Sequence, residues 1–216
     1  MKRLHFLQKT LLATAAIPLL SYTKPSSPNY HVIAIGESGG RILEALNKAK
    51  VPGKYTWIKS QHNQICNVPN LNRIEIPHPY STDYFIRDRI TEMPNEYTHE
   101  VPDWNSFCRK ANQTILLTQP TCYLSMYLTP LLANWLNDQS FPFHTIAIQP
   151  FRFYSHREKD ASAKTFREIG QYPGNLTAVI ADSIRCRGKM NLAEAIEAVY
   201  QRTAEETVCT INRLNN

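Results

Sequence analysis

The longest apolar stretch in this sequence, Leu11 to Leu20, is only ten residues, whereas a membrane-spanning helix needs about 20. A transmembrane span is therefore not expected. No Cys-x-x-Cys pair occurs: Cys66, Cys108, Cys122, Cys186 and Cys209 are widely spread, and the seven histidines are scattered. That argues against a metal centre or a disulfide framework, and the odd count leaves at least one free thiol. Cys122 and Cys209 fall in apolar helical patterns and read as packing residues. There is no basic stripe with interleaved aromatics, so the net charge of +6 does not indicate a nucleic-acid partner. No acidic residue precedes Glu37, and Lys2, Arg3, Lys9 and Lys24 lie before it. Those four account for all but +2 of the charge. Ser38 stands in GESGG, which lacks the Gly-x-Ser-x-Gly spacing of a nucleophile elbow.

What remains is 216 residues with 43% hydrophobic and 19% charged content, enough for one globular domain with a proper core. Residues 1–24 have a basic start, an apolar middle and small polar residues, the layout of a secretory signal. Arg3, Phe6, Leu7 and Lys9 match a twin-arginine export signal, with Leu4 in place of the second arginine. Export to a periplasmic or envelope-associated location is the expectation. A cytoplasmic location goes with the alternative, an N-terminal amphipathic helix packed on the domain. Residues 25–30 form a short linker with two prolines, and 31–216 form the domain.

Within the domain, apolar strands alternate with helices. Strands are expected at 31–36, 55–59, 73–77, 114–118, 144–149 and 176–181. Helices are expected near 40–49, 122–137, 158–170 and 190–213, with one or two more in 81–112 broken near Pro94 and Pro102. This order predicts a three-layer α/β fold, a Rossmann-like parallel sheet with helices on both faces.

Several segments, in order, resemble the nucleotide-binding half of FtsZ and tubulin. VIAIGESGGRILEAL resembles the opening strand and glycine-rich first loop of that family. Gln149-Pro150-Phe151-Arg152-Phe153 resembles its Lys-Pro-Phe-x-Phe, and nineteen residues separate Pro130 from Pro150, as the family's spacing requires. LTAVIADSI is similar to the next strand, with Asp182 at the aspartate of the family's Pro-Asn-Asp. MNLAEAIEAVYQRTAEETVCTI is similar to the start of the central helix. The resemblance implies the FtsZ/tubulin nucleotide-binding fold. It also implies that any surviving GTP, GDP or other phosphate ligand would be held by Gly36, Ser38, Gly39, Gly40, Ser125 and Asp182.

The departures carry the functional expectation. The family's Gly-Gly-Gly-Thr-Gly-Thr-Gly wraps phosphate with bare backbone N–H groups, and the aligned stretch here is TCYLSMY, residues 121–127. Tyr123, Leu124, Met126 and Tyr127 would occupy the phosphate's volume or pack inward and close the pocket. Glu37 and Ser38 replace two glycines of the first loop, so the three remaining glycines read first as a tight turn needing no ligand. Ile196 and Gln201 replace the residues that stack on and read guanine, and Lys59-Ser60-Gln61-His62-Asn63 replaces a second family loop. The sequence ends just after the central helix, without the loop that activates water in a neighbouring subunit.

The resemblance with these departures implies a pseudo-GTPase: a scaffold or binding module for a partner protein or small ligand, oligomerisation being open, with no cofactor and no catalytic residue. The alternative is a divergent nucleotide-binding protein without polymerisation-coupled hydrolysis. A third reading, an unrelated enzyme on a doubly wound sheet, would use polar groups at strand ends such as Lys59, Thr118, Gln149 and Asp182. His62, His78 and His99 are loop histidines with no assigned role, and Tyr123 and Tyr127, four apart, read as packing residues.

Overall fold

The structure, a computed structural model, describes residues 30–60, 66–76, 103–108, 113–172, 175–185 and 190–214. The export-like segment, most of the linker, His62, His78, His99, Cys186 and most of 81–112 lie outside the described residues. Among the described residues six strands form one sheet: β1 (Tyr30–Ile35), β2 (Lys54–Ser60), β3 (Asn72–Ile76), β4 (Gln113–Thr118), β5 (Phe143–Gln149) and β6 (Leu176–Ile180). Their order is β3-β2-β1-β4-β5-β6, and every pair is parallel. The helices are α1 (Gly36–Lys48), α2 (Trp104–Cys108), α3 (Tyr123–Asp138), α4 (His156–Ile169), α5 (Ala181–Arg185) and α6 (Leu192–Leu214).

Parallel strands joined by helical crossovers are covered on both faces, which is why YHVIAI and TILL are nearly unbroken apolar runs. Alternate residues serve opposite layers. Val32, Ala34, Trp57, Ile115, Leu117, Ile146 and Ile148 pack with Ile42, Leu43 and Leu46 of α1 and Val199, Ala204 and Ile211 of α6. Ile33, Ile35, Ile58, Leu116 and Ala147 face the other way, against Leu124, Leu128, Leu132 and Leu136 of α3 and Ile169 of α4.

That leucine ladder, four residues apart, keeps α3 helical through Pro130. A mid-helix proline costs about 3 kcal/mol, and burying each leucine returns about 1.5–3 kcal/mol. Four buried leucines outweigh one proline. Helix α4 starts at a capping box: Ser155 Oγ accepts from the Glu158 amide at 3.2 Å, and the Glu158 carboxylate accepts from the Ser155 amide at 2.7 Å.

Two expectations change. The first helix begins at Gly36 rather than near residue 40, because Gly36, at φ +79°, turns the chain from strand to helix in one step. Cys209 is exposed on α6 rather than packed: the buried stripe of that helix passes through Thr203, Thr207, Thr210 and Ile211. No helix among the described residues is long and apolar enough to cross a membrane.

Candidate functional site at the strand-order switch

Strand β1 lies between β2 and β4, so the chain reverses its direction of travel across the sheet there. Helix α1 leaves β1 on one face and α3 leaves β4 on the other. Where two such crossovers diverge, a crevice opens at the carboxyl ends of the strands, the usual ligand position in open α/β sheets.

Each glycine of the first turn has a protein neighbour that requires it. A Cβ on Gly36 would lie 3.1 Å from Cys122 Sγ, one on Gly39 3.0 Å from Ala34, and one on Gly40 2.7 Å from Cζ2 of Trp57. The Trp57 indole also donates to the Gly36 carbonyl at 2.7 Å. The tight turn is thus demanded by packing and by one positive φ.

Across the crevice, Ser38 Oγ donates to Gln119 Oε1 at 2.6 Å, joining residues 81 apart in sequence. Ser125 is fully buried and donates to the Gln119 carbonyl at 2.7 Å, with Cys122 Sγ 3.0 Å from its hydroxyl. The Tyr200 phenol of α6 lies close to Ser38, and the Tyr154 phenol, from the loop after β5, lies close to Gln119. Burial, chiefly, raises both phenol pKa values; the second cause for Tyr154 is the adjacent Tyr200 phenol. Ser38, Gln119, Cys122, Ser125, Tyr154 and Tyr200 therefore form one linked cluster between α1, α3, α6 and the β5–α4 loop.

The chemistry of this cluster is that of hydrogen bonding. Burial raises the Cys122 pKa, and the nearby Glu37 charge adds to that, while Ser125 works against it. A protonated thiol is a poor nucleophile. Cys66, whose thiol donates to the Gly40 carbonyl at 3.3 Å, is pushed to about 11, and Cys108 to about 12, by burial first in both cases. Among the described residues no group of three His, Cys, Asp or Glu side chains could hold a metal. Glu37 points to solvent.

Of the residues singled out in the sequence, Gly36, Ser38 and Ser125 meet in the cluster, and Gly39 and Gly40 lie beneath it in the first turn of α1. Asp182 takes another position: its Oδ2 accepts from the Arg152 amide at 3.0 Å and lies 3.6 Å from Arg152 Nε, pinning the β5–α4 loop to α5. Lys59 pairs with Glu75 at 3.1 Å, and Thr118 accepts from Thr129 at 3.0 Å inside the core. Among the described residues no hydrogen bond or ion pair joins Lys59, Thr118, Gln149 and Asp182 to one another. Gln119, Tyr154 and Tyr200 belong to no motif in the sequence. The only local signal for them was position: Gln119 directly follows β4, and Tyr200 lies one helical turn after Ile196.

No protein-family model matches the chain, and no curated protein matches it. Solved structures do. CetZ from Methanosaeta thermophila strain DSM 6194 superposes with a TM-score of 0.65 at 16% identity, over 85% of this chain and 54% of that one. An empty FtsZ dimer from M. jannaschii gives 0.67 at 11% identity, over 89% and 57%. CetZ2 from Haloferax volcanii, a GTPγS-bound protofilament, gives 0.60 at 13%, over 85% and 58%. The fold is that of the FtsZ/tubulin nucleotide-binding domain. The chain spans little more than half the length of these relatives.

In this FtsZ/tubulin-like domain the TCYLSMY stretch is a short turn running into a helix. Cys122 is the N-cap, Tyr123 opens α3, and Leu124 and Met126 are buried at 4% and 5% exposure. Leu124 and Tyr127 pack into the core layer beneath α3 rather than projecting across the crevice. Ile196 packs against the opposite layer, and Gln201 faces a groove beside β6.

Proposed function

We propose that this chain is an FtsZ/tubulin-like pseudo-GTPase domain, acting as a non-catalytic scaffold or binding module. The observation that carries this reading is the 2.6 Å hydrogen bond between Ser38 and Gln119. It ties together the two loops between which a nucleotide's phosphates would have to lie. Cys122 Sγ is already close to the Gly36 backbone, and the Tyr154 and Tyr200 phenols already lie against Gln119 and Ser38. A triphosphate entering here would break an internally satisfied network while meeting no lysine among the cluster residues. The proposed location is outside the cytoplasm, on the basis of the signal-like segment, and the proposed ligand is a partner protein or small molecule rather than GTP.

One observation favours the alternative, a retained phosphate ligand. Helices α1 and α3 both start at this crevice without a side-chain N-cap, at Ile35 and Cys122. Free N–H groups and the positive ends of two helix dipoles attract anions. Each dipole contributes about 0.3–1 kcal/mol, less than breaking the network costs if each bond contributes about 1 kcal/mol.

The deciding experiment purifies the full chain, denatures a sample, and separates any released nucleotide by chromatography. GTP, GDP and ATP are then titrated by calorimetry. The proposal expects no co-purified nucleotide and no binding heat at millimolar GTP. Guanine nucleotide binding near micromolar Kd, about −8 kcal/mol, would establish the alternative.

A further inference from the structure

At the opposite end of the sheet, an open groove of about 500 Å³ is lined by Asn134, Asn137, Gln171, Tyr172 and Asn175. It lies between the carboxyl ends of α3 and α4 and the entry to β6. The 16-residue α3 separates it from the crevice by about 24 Å at 1.5 Å per residue. Among the described residues the lining is four carboxamides and a phenol, with no cation, no carboxylate and no aliphatic side chain. An anion would find no countercharge there, and an apolar ligand no apolar wall. The ligand that matches alternating amide donors and acceptors is neutral and rich in hydroxyl groups, since one carboxamide can donate to one hydroxyl and accept from its neighbour.

The side chains of the groove are also hydrogen-bonded to one another. Tyr172 Oη donates to Asn134 Oδ1 at 2.9 Å, and Asn134 Nδ2 donates to Asp138 Oδ2 at 3.1 Å, which fixes the amide's orientation. Gln171 Nε2 donates to Tyr172 Oη at 3.0 Å, and the Tyr172 ring is held edge-on by Phe143 at 5.6 Å. Asn137 and Asn175 make no side-chain hydrogen bond among the described residues. The groove thus presents two free carboxamides beside three side chains joined to one another by hydrogen bonds. Its volume falls within the range of small-ligand sites, about 300–1,000 Å³.

We propose that this groove is a saccharide-binding site, sized for one or two sugar rings and independent of the strand-order switch. The test uses the full chain, labelled with nitrogen-15, and three probes: maltose, cellobiose and N,N′-diacetylchitobiose, with glycerol as the comparison. At least one disaccharide is expected to shift the side-chain amide resonances of Asn134, Asn137, Gln171 and Asn175 with a millimolar Kd. The double variant Asn137→Ala/Asn175→Ala, which breaks no internal bond, should weaken that binding at least tenfold while leaving the thermal midpoint in place. The variant Ser38→Ala, at the far crevice, should bind the sugar unchanged. The proposal is overturned if no disaccharide shifts these resonances at 20 mM, if glycerol at matched hydroxyl concentration produces the same shifts, or if the double variant binds as well as the parent chain.

Discussion

Gly40 lies directly against the Trp57 indole: a Cβ at that position would sit 2.7 Å from Cζ2 and 2.9 Å from Cε2. Trp57 is 2% exposed and bonded through Nε1 to the Gly36 carbonyl, so it has nowhere to retreat. Overpacking of this kind costs about 1–3 kcal/mol. Gly40→Ala should lower the unfolding free energy by that amount, moving the urea midpoint down without changing the slope. A midpoint within error of the parent would mean that the contact is soft and that the glycine has another purpose.

Ser38→Ala leaves Gln119, itself only 5% exposed, without its 2.6 Å donor. A buried acceptor stripped of its partner costs about 1–3 kcal/mol. The variant should lose stability in urea denaturation and gain no calorimetric response to GTP. A gain in nucleotide affinity would show that the bond had been the only barrier to a functional site.

His31 stands on β1 with Nε2 2.7 Å from Thr56 Oγ1, and burial, aided by the Lys54 charge, pushes its pKa down to about 3. In the unfolded chain the value is near 6.5. Between those values the unfolded state binds a proton that the folded state refuses, so folding stability falls as the pH drops through 6.5 towards 3. At pH 5 the loss is about 2 kcal/mol, at roughly 1.4 kcal/mol per pH unit. Urea unfolding of the parent and of His31→Asn at pH 7.5 and pH 5 checks this. The substitution should remove most of the pH slope, and an equal slope in both proteins would assign it elsewhere.

Cysteine reactivity should divide by burial. Cys209 is exposed, while Cys66 and Cys108 are buried with pKa values near 11 and 12. An alkylating reagent at pH 8, followed by peptide mass mapping, should label Cys209 within minutes and leave Cys66 and Cys108 unlabelled until urea is added. Rapid native labelling of Cys108 would contradict its place against the core.

The α4 capping box should matter locally. Ser155→Ala removes the acceptor of the Glu158 amide, a loss worth about 0.5–2 kcal/mol. Hydrogen exchange should quicken in the first turn of α4 and not in α1. Uniform quickening would indicate that α4 opens only with the whole domain.

Much of the architecture was legible in single segments. HVIAI, TILLT and HTIAI are short, apolar and β-branched, and such runs become strands buried on both faces wherever they meet neighbours. The resemblance of GESGG and of Gln149-Pro150-Phe151 to family motifs correctly gave the fold. The site was legible only in part. Gly36, Ser38 and Ser125 stood in motifs, whereas Gln119, Tyr154 and Tyr200 are ordinary residues in their local sequence and acquire meaning from what they touch. The same limit explains Cys209: apolar periodicity marked α6 as amphipathic, but which residues form the buried stripe depends on how the helix lies on the sheet, and Cys209 falls outside it.

What the sequence determined by itself was the alternation of strand and helix, because periodicity and propensity act between residues a few positions apart. It also determined that the TCYLSMY stretch, residues 121–127, contains no glycine, since that is a statement about composition at a place. Tertiary structure decided that Leu124 goes into the core and that a hydroxyl–amide network spans the crevice instead. That outcome depends on strand order, which brings Ser38 to Gln119 across 81 residues and sets Tyr200 beside them. No local pattern encodes such a meeting; only the simultaneous packing of α1, α3 and α6 on one sheet produces it.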